Sequence, residues 1–275
     1  MDFHITHYDT AMARLDIGPF RLLTDPVLDP PGRVYAFPAW RLEKLGGTRD
    51  RAALAAGIGS VHAVLLSHAQ HRDNLDEAGR ALLYTLPKTI TTVPSAASLQ
   101  RRRPAGSATE LVGLDEWQSH TLTAATGEQL RITAVPAQHA PGWMFPERLQ
   151  ALGKVTGFVL EWEGQRDGAV YISGDTVAFS GLRDIARRFP RIGLGLFHLG
   201  SARFPVTGPV RLSLSARAAL KVDDWLQPGR IVPIHYDGWQ HFSQTPAEVR
   251  EAFRRAGRAH KLHWLTPGAR TSFTL

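Results

Sequence analysis

The stretch SHAQHRDNLD, residues 67–76, places two histidines and two aspartates in one short segment. The preceding run VHAVLLSH (61–68) is apolar and of strand length, which indicates a strand buried on both faces. The following segment NLDEAGRALLYTL (74–86) carries apolar residues at helical spacing. A polar loop between a buried strand and a helix is where α/β proteins gather ligand groups, at the carboxyl end of the strand.

Strands and helices alternate through the rest of the chain. FHITHYD, MARLDIG and FRLLTDP, within residues 3–26, alternate apolar and polar residues and predict an opening β-meander. KVTGFVLEW and GAVYISGDT, within residues 154–176, predict a hairpin pair, and TPAEVREAFRRAG predicts a helix capped by Thr245. Because no low-complexity linker interrupts this pattern, we expect an α/β fold in a single domain, 1–275, with two β-rich halves of about 1–127 and 128–275.

Composition limits the class of protein. Hydrophobic residues make up 43% and charged residues 21% of the chain, the balance of a globular protein that buries a core. No apolar run is long enough for a transmembrane helix, and the opening MDFHITHYDT lacks the features of a secretory signal, so we expect a cytoplasmic protein. The chain has no cysteine, so a metal would have to be held by histidine, carboxylate or amide groups.

The net charge of +7 and the pI of about 10.1 have two possible explanations. A basic surface attracts nucleic acid or anionic substrates. An excess of arginine also arises from genome composition, and here the arginines are scattered apart from Arg101–Arg103, with no nucleic-acid-binding motif beside them. We therefore expect a small-molecule substrate and no nucleic acid. The oligomeric state is left open, a homo-oligomer included.

Histidines and aspartates recur at the ends of predicted strands. LLSHAQHRD, AVPAQHAP, YISGDT and IVPIHYD each place them there. Taken singly, each has an ordinary explanation, either a surface histidine or a turn whose aspartate caps a helix. Together they form a set of imidazole and carboxylate groups of the kind that binds zinc, manganese or iron. The candidate ligands are His68, His71, Asp73, His139, Asp175 and His235.

Five motifs follow one another in order: LLTDP (22–26), LLSH with a later D-x-L-D (65–76), Pro136–His139, Gly174–Thr176 and Pro233–His235. This order resembles the metallo-β-lactamase superfamily of metal-dependent hydrolases, and the likeness covers nearly the whole chain. Within it, the chain is most similar to the branch that contains L-ascorbate-6-phosphate lactonase and N-acylphosphatidylethanolamine phospholipase D. The resemblance implies a four-layer αββα sandwich with a metal site at one edge, between the two halves.

The central motif departs from the signature of that family, His-x-His-x-Asp-His-Leu-Asp. His71, Asp73 and Leu75–Asp76 match its second half, whereas Asn74 stands where the third histidine is expected. His68 lies one residue farther from His71 than the signature requires. We expect a bulge in the loop that turns both rings towards one metal.

The resemblance implies two unequal metal sub-sites. One is a set of three imidazoles that leaves a position open for water, and the other combines two carboxylates with an imidazole, one carboxylate bridging the sub-sites. The first set is His68, His71 and His139; the second is Asp73, the bridging Asp175, and His235.

Asn74 replaces the remaining ligand of the second sub-site and is itself an additional candidate ligand. An amide oxygen binds zinc poorly and suits harder ions better, so we expect Zn²⁺ or Mn²⁺, as one ion or two, with a weakened second site. An alternative is that Asn74 and Gln70 only orient the histidines or the bound water.

A metal in such a site lowers the pKa of bound water to about 7, and the resulting hydroxide would attack a carbonyl or phosphoryl centre. Asp73 would hold or deprotonate this nucleophile, and a metal or a nearby histidine would stabilise the oxyanion. Asp73 and His235 are therefore the predicted catalytic residues.

Further residues are candidates for supporting the site. Asp25 and Asp76 either accept N–H groups from ligand histidines, or serve as a turn residue before Pro26 and as a charge in the first turn of a helix. Four others either shape a partly apolar substrate pocket or pack loops onto the body of the protein. They are Trp143, His198, Trp239 and His241.

The sequence therefore predicts a metal-dependent hydrolase of a small ester, lactone or phosphodiester. One alternative is a phospholipase D-like enzyme that acts on membrane lipid and uses an apolar groove beside the site. Another is a non-catalytic binding protein whose metal site has degenerated at Ala69 and Asn74.

Overall fold

The computed structural model describes residues 1–37, 40–142, 152–204 and 208–275. Within these residues the strands form two large sheets and one separate hairpin. The strands are β1 (Phe3–Asp9), β2 (Met12–Ile17), β3 (Phe20–Thr24), β4 (Val34–Phe37), β5 (Trp40–Glu43), β6 (Ala63–Leu65), β7 (Lys88–Thr92), β8 (Glu110–Leu114), β9 (Ser119–Thr123), β10 (Gln129–Pro136), β11 (Thr156–Trp162), β12 (Ala169–Ile172), β13 (Ile192–His198), β14 (Arg230–Ile234) and β15 (Arg270–Phe273).

The first sheet has seven strands in the order β15-β1-β2-β3-β6-β7-β8. β1, β2 and β3 form the predicted antiparallel meander, and β15 pairs with β1 from the far end of the chain. Thr10 and Gly18 lie at its two turns with φ of 50° and 51°, the left-handed conformation that tight hairpin turns require. β3, β6, β7 and β8 then run parallel to one another, which places their carboxyl ends at one edge.

The second sheet has six strands in the order β14-β13-β12-β11-β10-β9. β9 to β12 are antiparallel, including the predicted hairpin pair β11–β12, and β12, β13 and β14 are parallel. Both sheets therefore change from antiparallel to parallel pairing along the chain. The parallel part of each sheet carries the loops of the candidate site.

Most of the described helices follow a capping residue whose side chain accepts a hydrogen bond from a backbone N–H group of the first turn. Asp50, Thr92 and Ser215 are such residues, and Thr245 forms the predicted capping box with Glu248. None of the helices in the described ranges is long and apolar enough to cross a membrane. The helices are α1 (Arg51–Ile58), α2 (Glu77–Leu83), α3 (Val93–Arg101), α4 (Leu182–Arg188), α5 (Ala216–Leu226) and α6 (Pro246–Arg255), followed by a short 3₁₀ turn at Ala259–Lys261.

Three layers of buried apolar side chains hold the sheets and helices together. The largest cluster joins the facing sides of both sheets, with Ile5 and Leu15 from the first packed with Phe158 and Leu194 from the second. A second cluster lies between the second sheet and α4, α5 and α6. Smaller clusters lie between the first sheet and α1, α2 and α3. The protein is thus an αββα sandwich, as the motif order predicted.

α2 packs unusually close to the loop that follows β3. A Cβ atom added at Gly79 would lie 1.8 Å from the carbonyl oxygen of Pro26, a distance at which backbone has to move. Asp76 caps this helix, because one of its carboxylate oxygens accepts the Gly79 N–H at 2.6 Å. This close approach fixes the helix, and with it the loop at 67–76, against the LLTDP turn.

We expect Gly79→Ala to destabilise the protein by about 3 kcal/mol, the upper part of the range for inserting a methyl group into a packed site. Gly57→Ala is the matched control in α1, where the new Cβ would meet Tyr8 at an ordinary 3.8 Å. Its expected effect is neutral or stabilising by up to about 1 kcal/mol, the helix-propensity difference. Urea unfolding of both variants measures the difference, and equal midpoints would contradict the steric account.

Candidate metal centre

The candidate residues follow the carboxyl ends of strands from both sheets. Parallel strands present these ends at one edge, so side chains from distant parts of the sequence meet there. Contacts among these side chains confirm that the loops converge. Asp25 follows β3, His68 to Asn74 follow β6, His139 follows β10, Asp175 follows β12, His198 ends β13 and His235 follows β14.

Three buried or half-buried imidazoles, here called the three-histidine group, converge at one point: His68, His71 and His139. The Nδ1 atom of His71 lies 3.0 Å from Nε2 of His68 and 2.7 Å from Nε2 of His139. The longer spacing between the first two histidines therefore does not separate their rings. The loop places one nitrogen of each ring within bonding reach of a common centre.

Hydrogen bonds fix which nitrogen of two of these rings carries the proton. The single Ser67 hydroxyl proton goes to the Asp25 carboxylate at 3.0 Å, so Ser67 Oγ accepts from His68 Nδ1 at 2.9 Å. The Leu212 carbonyl oxygen can only accept, so His139 Nδ1 donates to it at 2.9 Å. Both rings therefore turn an unprotonated Nε2 towards the third histidine, which is the tautomer that binds a metal.

A second group, here called the Asp–Asp–His group, consists of Asp73, Asp175 and His235, all buried. His235 lies between the carboxylates, with Nε2 3.4 Å from Oδ2 of Asp73 and Nδ1 3.4 Å from Oδ1 of Asp175. The other oxygen of Asp175 lies 3.9 Å from Nε2 of His139. Asp175 thus faces both groups, the position that a bridging carboxylate requires.

Four ligand atoms of the Asp–Asp–His group have no hydrogen-bond partner within the described residues. They are both carboxylate oxygens of Asp175 and both ring nitrogens of His235. Buried polar atoms are almost always paired, because leaving one without a partner costs about 1–3 kcal/mol. Their burial without partners indicates a cation as the missing partner.

Burial keeps the histidines neutral. It lowers the pKa of His71 to about 3 and that of His235 to about 4, and it lowers the pKa values of His68 and His139 as well. Charging one of these rings would place a cation beside other imidazoles in a desolvated site. Neutral imidazole is the form that coordinates a metal, so near neutral pH no proton has to be removed first.

The two carboxylates of the centre differ in their pKa values. Burial alone would raise the pKa of Asp73, but its contacts with His235 and His241 outweigh burial and hold that pKa well below its ordinary range. Burial and the nearby carboxylates of Asp73 and Asp25 raise the pKa of Asp175 well above its ordinary range. A cation between the carboxylates would reverse this penalty on Asp175.

The donor set fits a divalent transition metal. It offers four imidazoles and two carboxylates without thiolate, the ligand types that suit zinc, manganese and iron. Two independent observations agree with this fit. Asp175 and His235 have buried atoms without a partner among the described residues, and hydrogen bonds fix the tautomers of His68 and His139.

Asn74 is fully buried behind the three-histidine group. Its amide nitrogen donates to Ser67 Oγ at 3.2 Å, while its Oδ1 atom has no partner among the described residues. Ser67 in turn contacts Asp25 and His68. Asn74 therefore supports the hydrogen-bond network of His68 and also keeps one free oxygen.

His198 and His241 extend the centre on either side. His198 is buried and lies 3.2 Å from the Asp25 carboxylate through Nε2, with its ring centroid 5.3 Å from that of His235. His241 Nε2 donates to Asp73 Oδ2 at 2.9 Å, which orients the carboxylate. Both residues were predicted to lie near the site, and the structure brings them to it.

Other predicted residues lie elsewhere. Gln70 is exposed and donates to the carbonyl groups of Leu152 and Lys154. Asp76 accepts backbone N–H groups of Gly79 and Asp29 rather than a histidine, and burial raises its pKa to about 6. Trp239 is buried against Tyr35 and Leu42. Trp143 lies outside the described residues.

Sequence reasoning missed the groups that orient the ligands. Ser67 stands inside the quoted motif, so its position beside His68 was a usable signal. The sequence could not predict the roles of the Leu212 carbonyl and the Phe204 ring, because backbone carbonyls and loop aromatics belong to no motif. The Phe204 ring stacks on His241 with centroids 4.7 Å apart.

Comparison with known proteins gives one family and several relatives. A profile of the Beta-lactamase superfamily domain matches residues 20–236, more than half of the chain. A metal-dependent hydrolase of Anaeromyxobacter sp. (strain K) is 25% identical over 248 residues, which cover 90% of this chain and 82% of that protein.

Two solved structures share the fold over almost their whole length. An isothiocyanate hydrolase from Delia radicum gut bacteria has a TM-score of 0.79 at 21% identity, covering 99% of this chain and 100% of its own. A protein described as a possible metal-dependent hydrolase, from Veillonella parvula DSM 2008, has a TM-score of 0.81 at 18% identity, covering 100% of both chains. At these identities the likeness establishes the sandwich fold.

We expect Asp175→Asn to stabilise the metal-free protein by about 1–3 kcal/mol at pH values above the ordinary pKa of aspartate, because an amide avoids the cost of burying a carboxyl group whose ionisation the site disfavours. Zinc at a hundred times its Kd should stabilise the unchanged protein by about 2.7 kcal/mol and the variant by clearly less. Chemical unfolding in chelator and in zinc measures both effects, with the exposed Asp2→Asn as control. A destabilised variant that keeps the full zinc effect would contradict this account of Asp175.

Proposed function

This chain belongs to the Beta-lactamase superfamily and is a metal-dependent hydrolase, and we propose that its substrate is a small ester, lactone or phosphodiester. The observation that most strongly supports metal-dependent hydrolysis is the orientation of His68 and His139. Their protons are directed outwards to Ser67 and to the Leu212 carbonyl, so two unprotonated nitrogens face His71. Such an arrangement suits an electron-pair acceptor at its centre.

The metal, when bound, would act as a Lewis acid and would make a water molecule nucleophilic near neutral pH. Asp73 has the depressed pKa of a carboxylate that stays ionised, so it can accept a hydrogen bond from that water and orient it. His241 holds the Asp73 carboxylate in place through its Nε2–H. His235 lies between the two carboxylates, where its ring would help to hold the metal and so support negative charge that develops on the substrate.

We propose Zn²⁺ or Mn²⁺ as the metal, with the three-histidine group as the stronger sub-site. The Asp–Asp–His group contains one imidazole, and the fully buried Asn74 supplies at most an amide oxygen where the family signature has a histidine. Such an oxygen-rich set favours a harder ion than zinc. The resemblance to the branch with lactonase and phospholipase D members remains a prediction.

We expect the protein loaded with Zn²⁺ or Mn²⁺ to hydrolyse at least one of γ-butyrolactone, ethyl acetate and bis(p-nitrophenyl) phosphate, and to lose this activity in chelator. Asp73→Asn should lower kcat by about 10²-fold or more, the effect expected when the group that positions a nucleophile is lost. Asp2→Asn is the control and should leave the rate unchanged. Metal binding without turnover of any of the three would instead contradict the proposed substrate class.

We expect Asn74→His to raise the amount of zinc that remains bound after dialysis, because imidazole is the better zinc ligand. Elemental analysis of the purified variant measures the ratio of zinc to protein. Asn74→Ala removes the amide without adding a ligand, so it should not raise that ratio. An unchanged ratio in a folded Asn74→His protein would favour the alternative in which Asn74 only supports His68 through Ser67.

A further inference from the structure

The β4–β5 hairpin stands beside the metal centre and has two different faces. Tyr35 and Leu42 lie opposite each other on its inward face, buried against Trp239. Phe37 and Trp40 pair on the same face at the tip, beyond this buried base. The outward face begins with the exposed Val34.

The tip begins a continuous row of rings in contact, here called the aromatic row: Phe37, Trp40, Phe204 and His241. Phe37 and Trp40 are stacked with centroids 4.0 Å apart, and Trp40 lies 4.3 Å from Phe204. Phe204 stacks on His241 at 4.7 Å with an interplanar angle of 3°. His241 donates to the Asp73 carboxylate, so the row ends at the metal centre.

Exposure decreases along the row towards the centre. Phe37 is 39% exposed, Trp40 and Phe204 are half-buried, and His241 is 7% exposed. Holding the hairpin on the body requires only the buried base of Tyr35 and Leu42 to be apolar. The aromatic pair at the tip, on the inward face, therefore keeps apolar surface in water at the outer end of the row that leads to His241.

The hairpin is tied to the segment that carries His235 and His241. Gln240 donates its backbone N–H to the Glu43 carbonyl at 3.0 Å, and Leu45 donates to the Gly238 carbonyl at 2.8 Å. These bonds hold the tip in a fixed relation to the ligands. A substrate group placed on the row would thus be positioned relative to the reacting atoms.

From this continuity we propose that the aromatic row is a specificity subsite for an aryl or arylalkyl group of the substrate, whose electrophilic carbon reaches the metal centre. The inference rests on the proposed hydrolase function and narrows its substrate class. Flat apolar groups gain from offset stacking and from removal of ring surface from water. A small substrate without such a group would leave the row in water and would bind more weakly.

The test uses two metal-chelating ligands that differ by one phenyl group, acetohydroxamate and phenylacetohydroxamate. Calorimetry on the zinc-loaded full chain gives the ratio of their Kd values without relying on turnover. We expect phenylacetohydroxamate to bind at least tenfold more tightly. Phe37→Ala and Trp40→Ala should reduce this ratio below threefold, whereas Trp40→Phe should keep most of it.

Val34→Ala is the matched control, because it removes apolar surface from the other face of the same hairpin. It should leave the ratio unchanged, and thermal unfolding of each variant shows that the hairpin variants remain folded. If acetohydroxamate fails to bind, the proposed function fails and the subsite falls with it. If acetohydroxamate binds and the phenyl group adds no affinity, or if Phe37→Ala and Trp40→Ala both keep the full ratio, the subsite alone is overturned.

Discussion

Two sets of electron-pair donors, buried beside each other without enough protons to satisfy them, are the constraint on which this structure depends. The three-histidine group turns its nitrogens to one point, and Asp175 faces both that point and His235 without a hydrogen-bond partner in the described residues. In water each of these groups would be solvated. At the edge of the sandwich they are stable together when a cation binds them, since an unpaired buried charge costs several kcal/mol.

The rest of the fold keeps these donors from relaxing. Ser67 and the Leu212 carbonyl hold two ring orientations, and His241 holds the Asp73 carboxylate. Gly79 allows α2 to approach the Pro26 carbonyl, so the loop at 67–76 is pressed against the turn that carries Asp25. These contacts come from separate parts of the chain: the loop after β6, the segment before α5, the segment after β14 and helix α2. The metal centre is therefore an outcome of sheet topology as much as of the motif.

The regular pattern of the sequence predicted the meander, the β11–β12 hairpin and the cap at Thr245, and the family resemblance of the five motifs implied the sandwich. The residues around the centre were found because strand ends, histidines and aspartates coincide in the sequence. The β4–β5 hairpin was not predicted, because VYAF and WRLE are short and bury one face only at their base. Nor could sequence decide that Asp76 caps a helix while Asp25 contacts His198, because both are aspartates beside the same motif. That choice depends on which backbone N–H groups lie within reach in three dimensions.

Lys44 shows how a buried charge that is not itself a ligand supports the geometry of one. It is fully buried, and its ammonium contacts the Asp9 carboxylate and the Thr10 hydroxyl and lies 5.0 Å from the ring of Trp239. A buried ion pair of this kind adds little net stability compared with apolar packing, but loss of one partner is costly, so it favours one arrangement of its surroundings. Here it joins the end of the hairpin, the β1–β2 turn and the loop after β14. The Thr10 carbonyl in that turn accepts the backbone N–H of His235, whose φ of 57° is unfavourable for a residue with a side chain. The strained conformation that directs His235 between the two carboxylates is thus maintained by a contact that the Lys44–Asp9 pair holds in place.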